Sequence, residues 1–108
     1  METKRLFALR AATSSANSPE DILNHVARLH DEILKANDIE ENDIVSVMYT
    51  VTEDLDSMNP AAALRKSGRG SSLALFCAAE PRSIAAPQGI IRVLVHYYAS
   101  QDHRPSFV

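Results

Sequence analysis

Ile90-Ile91-Arg92-Val93-Leu94-Val95-His96-Tyr97-Tyr98 is the stretch on which the fold turns. β-Branched and aromatic side chains dominate it, and these suit the pleated, half-buried surface of a strand. A single charge, Arg92, interrupts the apolar run. Upstream, Leu73 to Ala79 (LALFCAA) reads as another strand, too apolar to have a wet face. Glu80-Pro81 ends it, because proline cannot continue the ladder of a central strand. A connection containing Pro81 and Pro87 joins the two strands.

Further out, Asp43 to Val51 (DIVSVMYTV) is again rich in β-branched residues. Between it and Leu73 lies Asn59-Pro60, a cap followed by a proline at the first helical position. This pair opens a short helix, AAALRKS, which Gly68 stops. Ser18-Pro19-Glu20-Asp21 repeats the same signature at the head of a longer helix. There Ile22, Val26, Leu29 and Ile33 form one apolar stripe, and Asn37 is the expected end. Lys4 to Ala11 reads as a first strand with apolar residues on both faces, as if covered on both sides. The tail from Ala99 to Pro105 is polar.

The order is therefore β-α-β-α-β-β, an α+β fold with a ferredoxin-like mixed sheet, a long helix and a short helix, the helices packed on one face. At 108 residues the chain has length for one domain, 1–108, and not for two. A domain this small buries only about two-thirds of its unfolded surface, so a sizeable cavity is easier to build between subunits than within one. The net charge of -3 offers no global field to nucleic acid or an acidic membrane. No segment approaches the roughly 20 apolar residues of a membrane span. The one cysteine, Cys77, cannot make an intrachain disulfide, which makes the cytoplasm the natural compartment.

Arg92 needs an anion, since an unpaired charge in an apolar strand is costly to desolvate. That anion is either Glu80 or something outside the protein. Arg10 ends the first strand, Cys77 and Glu80 end the third, and Arg65 on the short helix could add a cation. Singly, each has a plain structural reading: Arg92 as half an ion pair, Cys77 as a small buried hydrophobe, Glu80 as a strand cap. His25 and His30 lie five apart on the long helix, which is not a same-face ligand spacing, and no metal or cofactor is expected. Taken together, the spacing points to an α+β domain that binds an anion.

Several motifs stand in register with one family. Leu9-Arg10-Ala11-Ala12-Thr13 is similar to its Arg-Gly-Ala-Thr strand end, and Ser18-Pro19-Glu20-Asp21-Ile22 to its acid-rich helix start. Thr52-Glu53-Asp54-Leu55 matches its T-x-D-L pattern, and Pro60 to Arg65 resembles its F-P-A-x-A-x-R helix. Leu73-Ala74-Leu75-Phe76-Cys77-Ala78-Ala79-Glu80 follows its V-P-V-x-C-x-x-E strand, and Ile90-Ile91-Arg92-Val93-Leu94 its I-R-V strand. Over Lys4 to Tyr98 the chain thus resembles the monofunctional chorismate mutases of the Bacillus type, trimers with a pseudo-α/β-barrel core.

The resemblance implies a homotrimer with a pocket between adjacent subunits, and conversion of the dicarboxylate chorismate to prephenate by an intramolecular Claisen rearrangement. Such a reaction needs orientation and electrostatic stabilisation rather than acid–base chemistry. By the same resemblance Arg92 serves the ether oxygen and a neighbouring carboxylate, and Arg10 clamps a carboxylate. Glu80 and Cys77 hydrogen-bond the ring hydroxyl, Arg65 stands near the entrance, and Ala61, Leu75 and Phe76 join the lining. Ala62 occupies a position that is usually lysine, and the chain stops at Val108, short of a tyrosine that approaches a substrate carboxylate in the family. Weaker substrate binding is the expected cost. The competing readings are a mutase acting on a chorismate analogue, a weakly catalytic homologue that binds a small carboxylate, and a trimer of the imine-deaminase type.

Overall fold

In a computed structural model the structure describes residues 3–108. Four strands, β1 (Lys4–Ser14), β2 (Ile44–Val51), β3 (Leu75–Ala79) and β4 (Ile90–Ser100), form one mixed sheet in the order β1-β4-β2-β3. Two helices, α1 (Pro19–Asn37) and α2 (Pro60–Lys66), interrupt the strands in sequence. β4 runs antiparallel to both its neighbours, while β2 and β3 are parallel and joined through α2. That pairing follows from chain geometry, because parallel neighbours require a crossover and antiparallel ones do not. The α+β order matches the one expected from sequence. No helix among the described residues is long and apolar enough to cross a membrane.

Both helices start where their caps direct. The Ser18 hydroxyl accepts the Asp21 N–H at 3.1 Å, and Asn59 Oδ1 accepts those of Ala61 and Ala62 at 2.8 and 3.2 Å. Each cap satisfies donors that the first helical turn leaves unpaired. α1 closes on Asp38 in the left-handed region, φ 50°, whose N–H reaches the carbonyls of Leu34 and Lys35. The stripe of Ile22, Val26, Leu29 and Ile33 is buried against the inner face of the sheet, where Leu9, Val47, Tyr49, Ile91, Val93, Val95 and Tyr97 alternate inward.

Two expectations about the strands are corrected by the sheet. β1 is covered on one face only, because both helices lie on the same side, and Leu6 and Ala8 are exposed. β3 begins at Leu75 rather than Leu73, and it does have an open face: Phe76 is 61% exposed, and Ala78 and Ala79 are exposed too. Composition suggested burial on both sides; position at the sheet edge, with one helical layer, leaves the outer side bare in the protomer. The result is an outer face bearing Leu6, Met48, Phe76, Leu94 and Tyr98, each 38 to 61% exposed.

The tail beyond β4 is polar in composition yet anchored. Asn37 Nδ2 donates to the Ile33 and Ser106 carbonyls at 3.0 Å each, and its Oδ1 accepts the Ser106 N–H at 2.7 Å. Tyr97 Oη lies 2.7 Å from His103 Nε2, and Phe7 packs on both rings. His30, buried on α1, lies 2.7 Å from Glu41, whose carboxylate also accepts the Gly70 N–H.

Candidate active site

Alternation along each strand decides which side chains share the outer face. On β4, Ile91, Val93 and Val95 turn inward, so Arg92 and Leu94 turn outward. Register then places Arg92 opposite Ala12 of β1 on one side and Thr50 of β2 on the other. Arg10 lies opposite Leu94, which makes it a diagonal neighbour of Arg92 on the same face. Glu80 immediately follows β3, where its N–H still donates to the Val51 carbonyl at 2.8 Å. Arg10, Arg92, Thr50 and Glu80 therefore form a polar band running across the whole sheet.

The centre of that band is one hydrogen-bonded unit. Arg92 Nη1 donates to both Glu80 oxygens, at 2.6 Å to Oε1 and 2.5 Å to Oε2. Thr50 Oγ1 donates to the same Oε1 at 2.8 Å. Burial alone would push the Glu80 carboxyl up. The hydrogen bonds from Arg92 and Thr50, with the guanidinium charge, outweigh it and hold the carboxyl below its ordinary range. The Arg92 side chain is 45% exposed and that of Glu80 is 17% exposed, so the pair is open toward Arg92. Among the described residues only Nη1 of Arg92 is engaged, which leaves Nε and Nη2 free to donate to a ligand.

Beside Glu80 lies a cleft of about 390 Å³ lined by Thr52, Glu53, Asp54, Pro81 and Arg82 among others. The Thr52-Glu53-Asp54-Leu55 motif builds its wall. Thr52 Oγ1 accepts the Ile90 N–H at 3.1 Å, and Asp54 Oδ1 accepts the Gly89 N–H at 3.2 Å. Leu55 is buried in the core. A hydrogen bond from Thr52 is the main influence holding the Asp54 carboxyl low, with burial opposing it. The motif is thus a bracket that fixes the connection between β3 and β4, and with it the approach to Glu80 and Arg92.

The residues singled out from sequence divide into three groups. Arg10, Glu80 and Arg92 share the outer band, and Phe76 flanks it. Arg65 and Ala61 lie on α2, in the helical layer on the other side of the sheet; Arg65 is exposed and Ala61 is buried. The Cys77 thiol does not join Glu80. It shares the inner face with its register partner Tyr49 and packs against the core, and burial pushes its pKa up. Leu75 faces the same way. A spacing of three along a strand reverses the side-chain direction, so Cys77 and Glu80 could not share a face by simple alternation. Thr50 was not singled out. Its alternation with the buried Tyr49 was visible in sequence, but its pairing with Arg92 required the register.

Fold and site together define an α+β domain that presents arginines and one carboxylate from an open sheet face, suited to holding an oxygen-rich anion. The sequence model of the family described as chorismate mutase type I matches residues 6–108, and the chain belongs to that family. Among solved structures, a chorismate mutase from Clostridium thermocellum is similar to it at 34% identity, covering 94% of this chain and 92% of that one, with a TM-score of 0.84. No curated protein matches it significantly.

Proposed function

We propose that this protein rearranges chorismate to prephenate within a pocket formed between subunits of a cytoplasmic homotrimer, each subunit a single domain. One observation carries the reading: Arg92 stands half-exposed on the open face, braced through Nη1 alone by Glu80. Its two unengaged nitrogens can then meet the ether oxygen, where negative charge develops as the C–O bond breaks, and a neighbouring carboxylate. A cation preorganised there lowers the barrier because it strengthens its interaction as charge grows. Arg10, a diagonal neighbour in the band, holds a substrate carboxylate. The ionised Glu80 accepts the ring hydroxyl and so selects the compact conformer.

The placement of the remaining candidates supports a shared pocket. Arg65 is separated by the sheet from Arg92 in one protomer, so it reaches substrate only if a neighbour's α2 approaches the outer band. Ala61, buried in the core, supports that helix from beneath. The apolar outer face gives the reason for such an approach, since it carries several large side chains that association would remove from water. Phe76, facing outward, then lines the pocket edge from β3, and Leu75, facing inward, packs beneath it. Cys77 contributes by packing beneath the strand rather than through its thiol.

Loss of the chorismate diene absorbance on adding purified protein, with prephenate as product, tests the activity. Arg92→Ala is expected to lower kcat by about 100- to 1,000-fold while changing KM much less. An absence of decay at high protein concentration would sink the proposal.

A further inference from the structure

We propose that Thr50 is the positioning residue of this site, fixing the Glu80 carboxylate for the substrate hydroxyl while Arg92 is shared between Glu80 and the substrate. The inference rests on the mutase reading of the same band. The Thr50 backbone is in the ladder of β2, and its side chain lies on the outer face. There its hydroxyl has one partner among the described residues, Glu80 Oε1 at 2.8 Å.

The geometry divides the work between two donors. Glu80 ends a strand and reaches its position through three rotatable side-chain bonds, the last of them broad and roughly two-fold. Arg92 is itself long and half-exposed, so it is a partner that Glu80 must share with a ligand. Thr50 is short and β-branched, with a stiff χ1, on the central region of the sheet. When substrate oxygens meet the free Nε and Nη2, the guanidinium charge is divided and its hold on Glu80 weakens. The threonine hydroxyl is then the fixed donor that keeps the carboxylate ionised and pointed at the ring.

The charged groups around Glu80 are Arg92 from β4 and, lining the adjoining cleft, Glu53, Asp54 and Arg82. Arg82 lies 3.4 Å from Glu53, so that pair largely compensates itself. Replacing Thr50 by valine alters none of these charges and keeps the side-chain shape, while it removes one hydrogen bond to an ionised carboxylate.

The test compares Thr50→Val and Thr50→Ser with the wild type, in activity and in the ¹³C NMR titration of the Glu80 side-chain carboxyl without substrate. Thr50→Val is expected to lower kcat/KM by about tenfold, as loss of a hydrogen bond to a charged group does. The acid limb of its kcat/KM profile moves to higher pH, and so does the NMR midpoint of Glu80. Thr50→Ser, which keeps the donor, restores both. Thr50→Ala serves in the same way should valine disturb the strand. An unmoved Glu80 midpoint in Thr50→Val, or a serine variant that behaves like valine, overturns the role of Thr50. Failure of the wild type to consume chorismate overturns the mutase reading instead, and the NMR titration still decides whether Thr50 holds Glu80.

Discussion

Arg92 occupies an apolar strand without a prohibitive desolvation cost because the face it points from is open and Glu80 neutralises it. The Glu80 carboxyl is held low in the folded protein, so its contribution to stability is fully present above the unfolded value of about 4.3 and is lost as pH falls through the folded value. The half-exposure of Arg92 keeps that contribution small. Urea denaturation of wild type and Glu80→Gln between pH 5 and about 3 checks this: the wild-type midpoint should fall more steeply than the variant's. Equal slopes would show that the pair does not persist in solution. Asp31, whose carboxyl is held low chiefly by hydrogen bonds from Arg69, gives a parallel background slope in both proteins and cancels in the comparison.

At the scale of elements, two junctions determine whether the site is presented in one geometry. Gly89 leads into β4 with φ +70°, and a Cβ there would meet the Ser15 carbonyl oxygen at 3.1 Å. Both the left-handed backbone and the contact oppose any side chain, so Gly89→Ala should cost about 1–2 kcal/mol, read from the urea midpoint. Because the Gly89 N–H holds Asp54, a backbone shifted to relieve the added Cβ should displace that bond and lower activity beyond what the stability loss explains. The other junction is the end of α1. Asn37→Ala removes all three hydrogen bonds that tie Ile33 and Ser106 to one buried amide, a loss of roughly 1–3 kcal/mol. Amide exchange at Ser106 should rise more than at the centre of β4; uniform acceleration would mean the tail and sheet open together.

For the whole molecule, the outer face is the decisive feature. Leu94 and Phe76 sit on it at 38 and 61% exposure, flanking the polar band. A charge placed there leaves the protomer core untouched and opposes association. If the proposed trimer forms through this face, Leu94→Glu should shift the sedimenting species from three chains to one and abolish activity, with the far-ultraviolet spectrum retained. A trimer that survives this change would place the interface elsewhere. The shared-pocket reading also predicts complementation: mixing Arg92→Ala with Arg65→Ala subunits should recover some activity through pockets that carry neither change.

Much of the architecture lay open in the sequence because the physics that decides it is local. Caps at Ser18 and Asn59 with prolines behind them start both helices, the four-residue stripe of α1 turns toward the core, and the β-branched runs become strands. The arginine and glutamate of the band were legible as well, because a charge in an apolar strand and a glutamate before a proline are conspicuous. What local pattern could not supply was the neighbour relation. Which strand flanks β4, and therefore that Thr50 lies opposite Arg92, depends on a register set by long-range pairing. That Cys77 faces the core while Glu80 faces outward depends on how the chain leaves β3 at the sheet edge. That β1 and β3 each have a bare side depends on both helices packing on one face, a choice among layer arrangements rather than a property of either strand. Composition and periodicity determined the elements and the chemistry they carry; only the tertiary structure decided which residues meet, because contacts between strands distant in sequence are settled by packing of the whole sheet.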